Sequence, residues 1–290
     1  MTLDPVTFRH AFEAIKDLPT LPVVVGEITK RIANPATNAA DIGKLIERDQ
    51  ALTSRVLRLV NSSYYGFPRQ IKSIKHAVVI LGFSKIKSVV ITTAVLRAFK
   101  KSRANGFDIT RFWQHSLAAA ISAKALAETF GIGHAAEEAF IGGLLHDIGK
   151  VVMEQFQSAI YSPVLQHARD NGLLLLEAEK QLLGLTHDMV GEWMMELWHL
   201  PPIIVRMVSD HHNPAGSTAL RELVASVAIG DIMARALGVG NGGDERIPAV
   251  DPILAVNLGI NAVFFDAALV RIIEEILKAA DFFTLVTGSD

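Results

Sequence analysis

In the stretch GGLLHDIGK, Gly142 to Lys150, a histidine directly precedes an aspartate inside a run that is otherwise apolar and flanked by glycine. A buried imidazole and a buried carboxylate are each costly without a partner, and a metal ion satisfies both at once. The chain has no cysteine. Disulfides, thiolate zinc sites and cysteine nucleophiles are therefore excluded, and any metal must be held by nitrogen and oxygen. Further ligand-type residues lie on faces that should be core. His115 neighbours Ala118, Ala119 and Ser122, small residues that allow another helix to approach closely. His187 shares a face with Val190, Gly191 and Met194, His211 and His212 follow Val205 and Val208, and Asp231 shares a stripe with Val224, Val227 and Ala228. A single buried histidine is ordinarily a hydrogen-bonded core residue. Several polar groups on different apolar faces would each cost about 1–3 kcal/mol unpaired, and convergence on a metal removes that cost collectively. His10, His76, His134, His167 and His199 fall outside this pattern and read as surface or structural residues.

The elements that must position these groups are helical. Half of the 290 residues are hydrophobic and 20% are charged, enough for a sizeable core. Apolar residues recur at helical spacing almost throughout, and convincing period-two alternation is absent. TLPVVVGEITKRIAN carries a stripe of Val24, Ile28 and Ile32 ended by Asn34-Pro35, and NAADIGKLIERDQALTSRVLRLVNSSYYG reads as two helices stopping at Asn61. SIKHAVVILGFSKIKSVVITTAVLRAFKK breaks near Gly82, with Lys100 and Lys101 favourably placed at a helix C-terminus. Later segments, among them EEAFIGGLLHDIGKVVMEQF and LLEAEKQLLGLTHDMVGEWMMELWHLP, each read as one helix. GVGNGGDERIPAVDP reads as a flexible, solvated loop, and DAALVRIIEEILKAADFF as a closing amphipathic helix with Leu269, Ile272, Ile273 and Ile276 on one face. Tyr64 and Tyr65, with Lys72 and Lys75, could line an N-terminal binding surface but read rather as the cap of a helix junction.

Net charge is −2, unevenly spread: residues 1–107 carry 17 Lys+Arg against 7 Asp+Glu, and residues 108–290 carry 11 against 23. With SRANGFD as linker, this predicts an N-terminal helical part over 1–107 and a second part over 108–290. No basic–aromatic interleaving points to nucleic acid. No signal pattern opens the chain and no apolar run approaches the roughly 18 residues of a membrane span, so a cytoplasmic protein is the expectation. The apolar C-terminal helix could serve a homodimer.

The ordered series His115, His146-Asp147, Asp231 resembles the HD superfamily of metal-dependent phosphohydrolases, and His187 with His211-His212 matches the extra histidines of its HD-GYP-like branch. That resemblance implies a divalent-metal site, mono- or binuclear, for Fe, Mn or Zn. It further implies Asp147 as the ligand placed to bridge two ions and Lys150 as the group facing a substrate phosphate. More narrowly, LPTLPVVVGEI, LTSRVLRLVNSSYYG, GLLHDIGK, LTHDMVGEWMMELWHLPPIIVRMVSDHH and VAIGDIMAR resemble the HDOD family, the HD-related output domain of bacterial signalling proteins, over about residues 10–240. The resemblance implies an all-α, HD-like bundle with an additional N-terminal helical subdomain. It implies a regulatory role among signalling proteins, with many members having lost metal ligands. The glycine-tyrosine-proline signature expected after the histidine pair is replaced by NPAGST, with Asn213 at the first position, which argues against cyclic-dinucleotide hydrolysis. The alternatives are a metal-dependent phosphohydrolase, a phosphodiesterase or nucleotidase with Asp147 and Lys150 as catalytic residues, and a di-iron redox or oxygen sensor.

Overall fold

The computed structural model describes residues 4–15, 18–99, 107–244 and 246–287, and among these described residues seventeen α-helices follow one another. They are α1 (Pro5–Glu13), α2 (Val23–Ile32), α3 (Ala39–Ile46), α4 (Gln50–Val60), α5 (Ile74–Leu81) and α6 (Phe83–Ala98). Then come α7 (Ile109–Thr129), α8 (Ala136–Leu145), α9 (Ile148–Phe156), α10 (Ser158–Asn171), α11 (Leu175–Leu182) and α12 (His187–Leu197). The last are α13 (Pro202–Asp210), α14 (Arg221–Ala236), α15 (Pro252–Asn257), α16 (Ala262–Lys278) and α17 (Ala280–Thr287). Among the described residues there is no strand, and no helix is long and apolar enough to cross a membrane. The all-α expectation holds. Lys100, Lys101 and residues 102–106 of the expected linker lie outside the described residues. Contacts gather the chain into two compact units, one of residues 19–100 with 273–290, the other of residues 1–18 with 101–272.

In the smaller unit, short polar side chains start the helices. Asn38 and Asp41 form a reciprocal capping box on α3, Asp49 caps α4 through Leu52 N–H, and Ser73 caps α5 through His76 N–H. Gly82, at φ +82°, makes the break between α5 and α6 that its residue type predicted. Val25, Ile28, Ile42, Ile46, Leu52, Val56 and Ile86 fill the interior. Asn61 ties the end of α4 to the following loop, donating from Nδ2 to Leu57 and Ile71 carbonyls and accepting from Ile71 N–H. Tyr64 and Tyr65 pack their rings against Phe282 of α17, as a helix-junction cap should.

The larger unit is built around α7. Alanines along α7 leave its backbone open, so α8 and α14 approach without intervening side chains. A Cβ at Gly143 would come within 2.7 Å of Ala120 Cα, and one at Gly230 within 2.9 Å of the Ala119 carbonyl. The same device brings α9 against α12 at Gly149, and Gly191 makes room on α12 for the Val208 side chain of α13.

Three sequence readings are corrected here. EEAFIGGLLHDIGKVVMEQF is two helices, α8 and α9, divided at His146-Asp147. LLEAEKQLLGLTHDMVGEWMMELWHLP is also two, α11 and α12, because Gly184 adopts φ +74° and Thr186 is extended. Both stretches carry continuous apolar periodicity, which conceals a one-turn break; the breaks deliver His146, Asp147 and His187 at helix ends, where their side chains turn inward together. The closing stretch DAALVRIIEEILKAADFF is likewise two helices, α16 and α17, meeting at Ala279; on α16, Ala268 and Ile272 are buried whereas Ile273 is exposed.

Candidate metal centre

All seven ligand-type residues singled out by their placement converge. His115 comes from the middle of α7, His146 and Asp147 from the α8–α9 turn, His187 from the first turn of α12, His211 and His212 from the end of α13, and Asp231 from α14. Six of them are between 0% and 3% exposed, and His212 is half-buried. They form two groups sharing one member: His115, His146, Asp147 and Asp231 offer ligand atoms all within 4.8 Å of one another, and so do Asp147, His187, His211 and His212. Asp147 turns one oxygen to each group. Its Oδ2 lies 3.2 Å from His146 Nε2 and 3.8 Å from His115 Nε2, and its Oδ1 lies 3.2 Å from His187 Nε2 and 3.8 Å from His211 Nε2. Asp231 Oδ1 lies 3.0 Å from His115 Nε2 and 3.5 Å from His146 Nε2.

The tautomers follow from the outer partners. His146 Nδ1 is 2.7 Å from the Gly143 carbonyl and His211 Nδ1 is 2.7 Å from the Val208 carbonyl. A carbonyl only accepts, so each Nδ1 carries the proton and each Nε2 faces the cluster. His187 is held likewise by a carboxylate, Nδ1 to Glu179 Oε2 at 2.7 Å. Close as they are, Nε2 of His115, His146 and His211 and Oδ1 of Asp147 are buried without a well-aligned hydrogen bond. Buried polar atoms that converge yet do not bond one another are the pattern a cation resolves, so the residues present fit a divalent ion.

The electrostatics agree. Burial opposes charge on both carboxylates, but His146 and Lys150 beside Asp147, and Arg235 beside Asp231, hold them well below the usual range. Burial works against charge on His146 and His187 too, yet Asp147 raises the first to about 9 and Glu179 the second to about 10. Desolvation lowers His115, and lowers His211 to about 3. A proton on His146 or His187 competes with a metal ion for the same Nε2 atom.

Lys150 is fully buried, with Nζ 2.7 Å from Asp147 Oδ2, 3.0 Å from the Gly242 carbonyl and 3.1 Å from Asp244 Oδ2. Its three ammonium protons are matched by three acceptors from within the chain. Gly242 and Asp244 belong to the segment read as a flexible, solvated loop. That reading is corrected: Gly242 is buried against the cluster, where a Cβ would come 2.7 Å from His115 Cδ2 and 3.1 Å from Asp147 Oδ2. Only glycine lets the backbone lie that close.

Four residues that hold the cluster escaped the sequence reading. Glu179 accepts from His187 and, through Oε1, from Tyr161 Oη at 2.7 Å. Arg235 Nε donates to Asp231 Oδ1 at 2.8 Å, and Asp244 joins Arg235 to Lys150. The one available signal was the spacing of Arg235, four residues after Asp231 on a helix. Glu179, in the charged stretch LEAEK, resembles a solvated face. None of the five remaining histidines belongs to either group; His10, His76, His134 and His199 are exposed and His167 is half-buried.

The chain as a whole has counterparts of similar sequence and fold. An HDOD domain protein of unknown function from Geobacter sulfurreducens is 27% identical and superimposes with a TM-score of 0.74 over 96% of this chain and 93% of its own. A candidate phosphohydrolase from Shewanella amazonensis is 25% identical, with a TM-score of 0.71 over 95% and 96% of the two chains. Among curated proteins, an uncharacterized protein of Treponema pallidum is 25% identical over 81% of this chain and 45% of its own length. The chain thus spans less than half the length of the curated relatives it matches. The HDOD domain itself matches residues 18–214, more than half of the sequence, and takes in six of the seven clustered residues. By that match, and by a fold shared almost end to end with another HDOD protein, the chain belongs to the HDOD family.

Proposed function

We propose that this chain is a regulatory signalling protein whose HD-type site holds one or two divalent ions and passes the state of that site to a protein partner. The observation that carries the metal is the inward-facing Nε2 atoms of His115, His146 and His211, buried without a well-aligned hydrogen bond, around an aspartate with one oxygen toward each group. His115, His146, Asp147 and Asp231 would hold one ion, and His187, His211 and His212 a second with Asp147 between them; the N/O donor set suits Fe, Mn or Zn. A bound ion supplies concentrated positive charge, able to offset the carboxylates and to polarise an oxygen ligand. A regulatory role is favoured over turnover by the covering loop and by Lys150, whose protons are committed to Asp147, Gly242 and Asp244.

Metal analysis of protein purified aerobically and anaerobically tests this reading. About one or two ions per chain are expected, lost in Asp147→Ala, with no turnover of phosphodiesters or nucleotides and with a signalling protein recovered by pull-down. Protein without metal, and with stability indifferent to chelator, would refute it. The second reading is a metal-dependent phosphohydrolase acting on a phosphorylated small molecule or nucleotide, with Asp147 and Lys150 catalytic. The Shewanella relative supports it, and turnover abolished by Asp147→Ala would select it. An absorption change with oxygen or reductant would instead select a di-iron sensor.

A further inference from the structure

The Asp244 carboxylate sits in a cradle that a phosphoryl group could use. Its Oδ2 is 3.1 Å from Lys150 Nζ and 2.9 Å from Arg235 Nη1, and its Oδ1 accepts from Leu175 N–H, the first amide of α11, at 2.5 Å. Lys150 and Arg235 side chains are 0% and 7% exposed, and that of Asp244 is 4% exposed. A buried lysine, a buried arginine and a backbone amide aimed at one point are the donors with which proteins bind oxyanions. The same two cations are already paired with the cluster, Lys150 with Asp147 at 2.7 Å and Arg235 with Asp231 at 2.8 Å. Asp244 is therefore a third carboxylate set against two fixed cations.

The segment that carries it is rich in glycine and tied to the rest of its unit by a few polar bonds. Residues 237–244 contain glycine at 238, 240, 242 and 243 and have no regular structure beyond the turn that ends α14. Polar bonds tie them down: Asn241 N–H to the Arg111 carbonyl, Arg111 Nη2 to the Gly240 carbonyl, and Lys150 to Gly242. Two surface cavities of about 290 and 420 Å³ flank Gly243, the first lined by Arg111 and Arg169, the second by Arg169 and Arg246. Their arginines add positive charge on the solvent side of the same segment.

We propose that Asp244 is a built-in oxyanion mimic. It latches residues 238–244 over the His/Asp cluster, and a ligand bearing a phosphoryl group opens the latch by taking its place between Lys150, Arg235 and the Leu175 amide. The latch belongs to the same site and rests on its being a ligand site, not on an ion being bound there.

The test is calorimetric titration of the intact protein with inorganic phosphate at constant ionic strength, with chloride as control. Asp244→Asn keeps the shape and removes the competing charge, and it should bind phosphate at least tenfold more tightly than the parent, since affinity scales with the open fraction. Adding Lys150→Met should remove that gain. A folded Asp244→Asn protein with unchanged phosphate affinity overturns the proposal. Should that variant fail to fold, hydrogen exchange on the parent decides: the amides of Asn241 and Gly243 should exchange faster as phosphate is raised, and unaltered exchange at saturation overturns the latch. Metal content is read on the same samples. Ions retained without a phosphate response sink the latch alone, and a phosphate response without ions sinks the metal reading alone.

Discussion

One carboxylate oxygen of Glu179 receives His187 twice, from the backbone N–H at 3.0 Å and from Nδ1 at 2.7 Å. The other oxygen accepts from Tyr161 Oη, so both oxygens are engaged and the imidazole is fixed in both tautomer and orientation. Glu179→Gln preserves shape but removes the charge that orients the ring, and it should weaken metal binding by roughly 10–100-fold, the range for such outer partners. Competition with a chelator of known affinity reads this directly. Metal affinity equal to the parent's would show that His187 needs no carboxylate.

The two groups should be separable by substitution. His115→Ala removes a ligand from one group and leaves Asp147, His187, His211 and His212 intact, whereas Asp147→Ala removes a ligand from both. Elemental analysis should therefore find His115→Ala with about half the metal of a two-ion parent and Asp147→Ala with essentially none. Equal loss in both variants would mean the groups do not act as separate sites.

Glu154 on α9 gives a pH signature away from the cluster. It is largely buried, its oxygens lack well-formed hydrogen bonds, and burial pushes its carboxyl up to about 7 against the opposing pull of Arg169 and Ser158. Unfolded, the group titrates near 4.5. Between those values the folded chain holds a proton that the unfolded chain has lost, so this group makes stability fall as pH rises from about 4.5 to about 7 and then level off. Glu154→Gln should match the parent near pH 4.5 and exceed it above pH 7 by about 1–2 kcal/mol, a figure discounted for partial solvation. Urea unfolding at several pH values checks this, and parallel curves would refute it.

Close helix approach should make two glycines behave oppositely. A Cβ at Gly149 would run into the His187 carbonyl, so Gly149→Ala should destabilise by about 2–4 kcal/mol or disturb α12 and its histidine. Gly26, inside α2, has nothing within 4 Å of its Cβ position, and Gly26→Ala should stabilise by about 0.5–1 kcal/mol. Thermal unfolding of the two variants distinguishes them by sign.

How much of this was legible in the sequence depended on the kind of signal. His115, His187, His211 and Asp231 stood out because each interrupts an apolar face, and His146-Asp147 because they interrupt an apolar run. The joint at Gly82 and the stops at Asn34-Pro35 and Asn61 were readable for the same local reason, a residue type that ends helices. The turns at His146-Asp147 and before His187 were not, since apolar periodicity continues through them. Nor was the fate of Glu179 or Asp244. A charged residue in LEAEK or in GNGGDER resembles solvent-facing chain until tertiary packing closes over it.

Asp147 belongs to both groups, whereas each histidine belongs to one. Within a single gene, one codon therefore governs both halves of the centre, and a change there disarms them in a single step. A change at any histidine codon leaves a complete quartet behind. In lineages descending from a chain like this one, a change at position 147 would dismantle both groups at once and a change at a histidine only one, and the order of loss should be written in which of these codons has drifted.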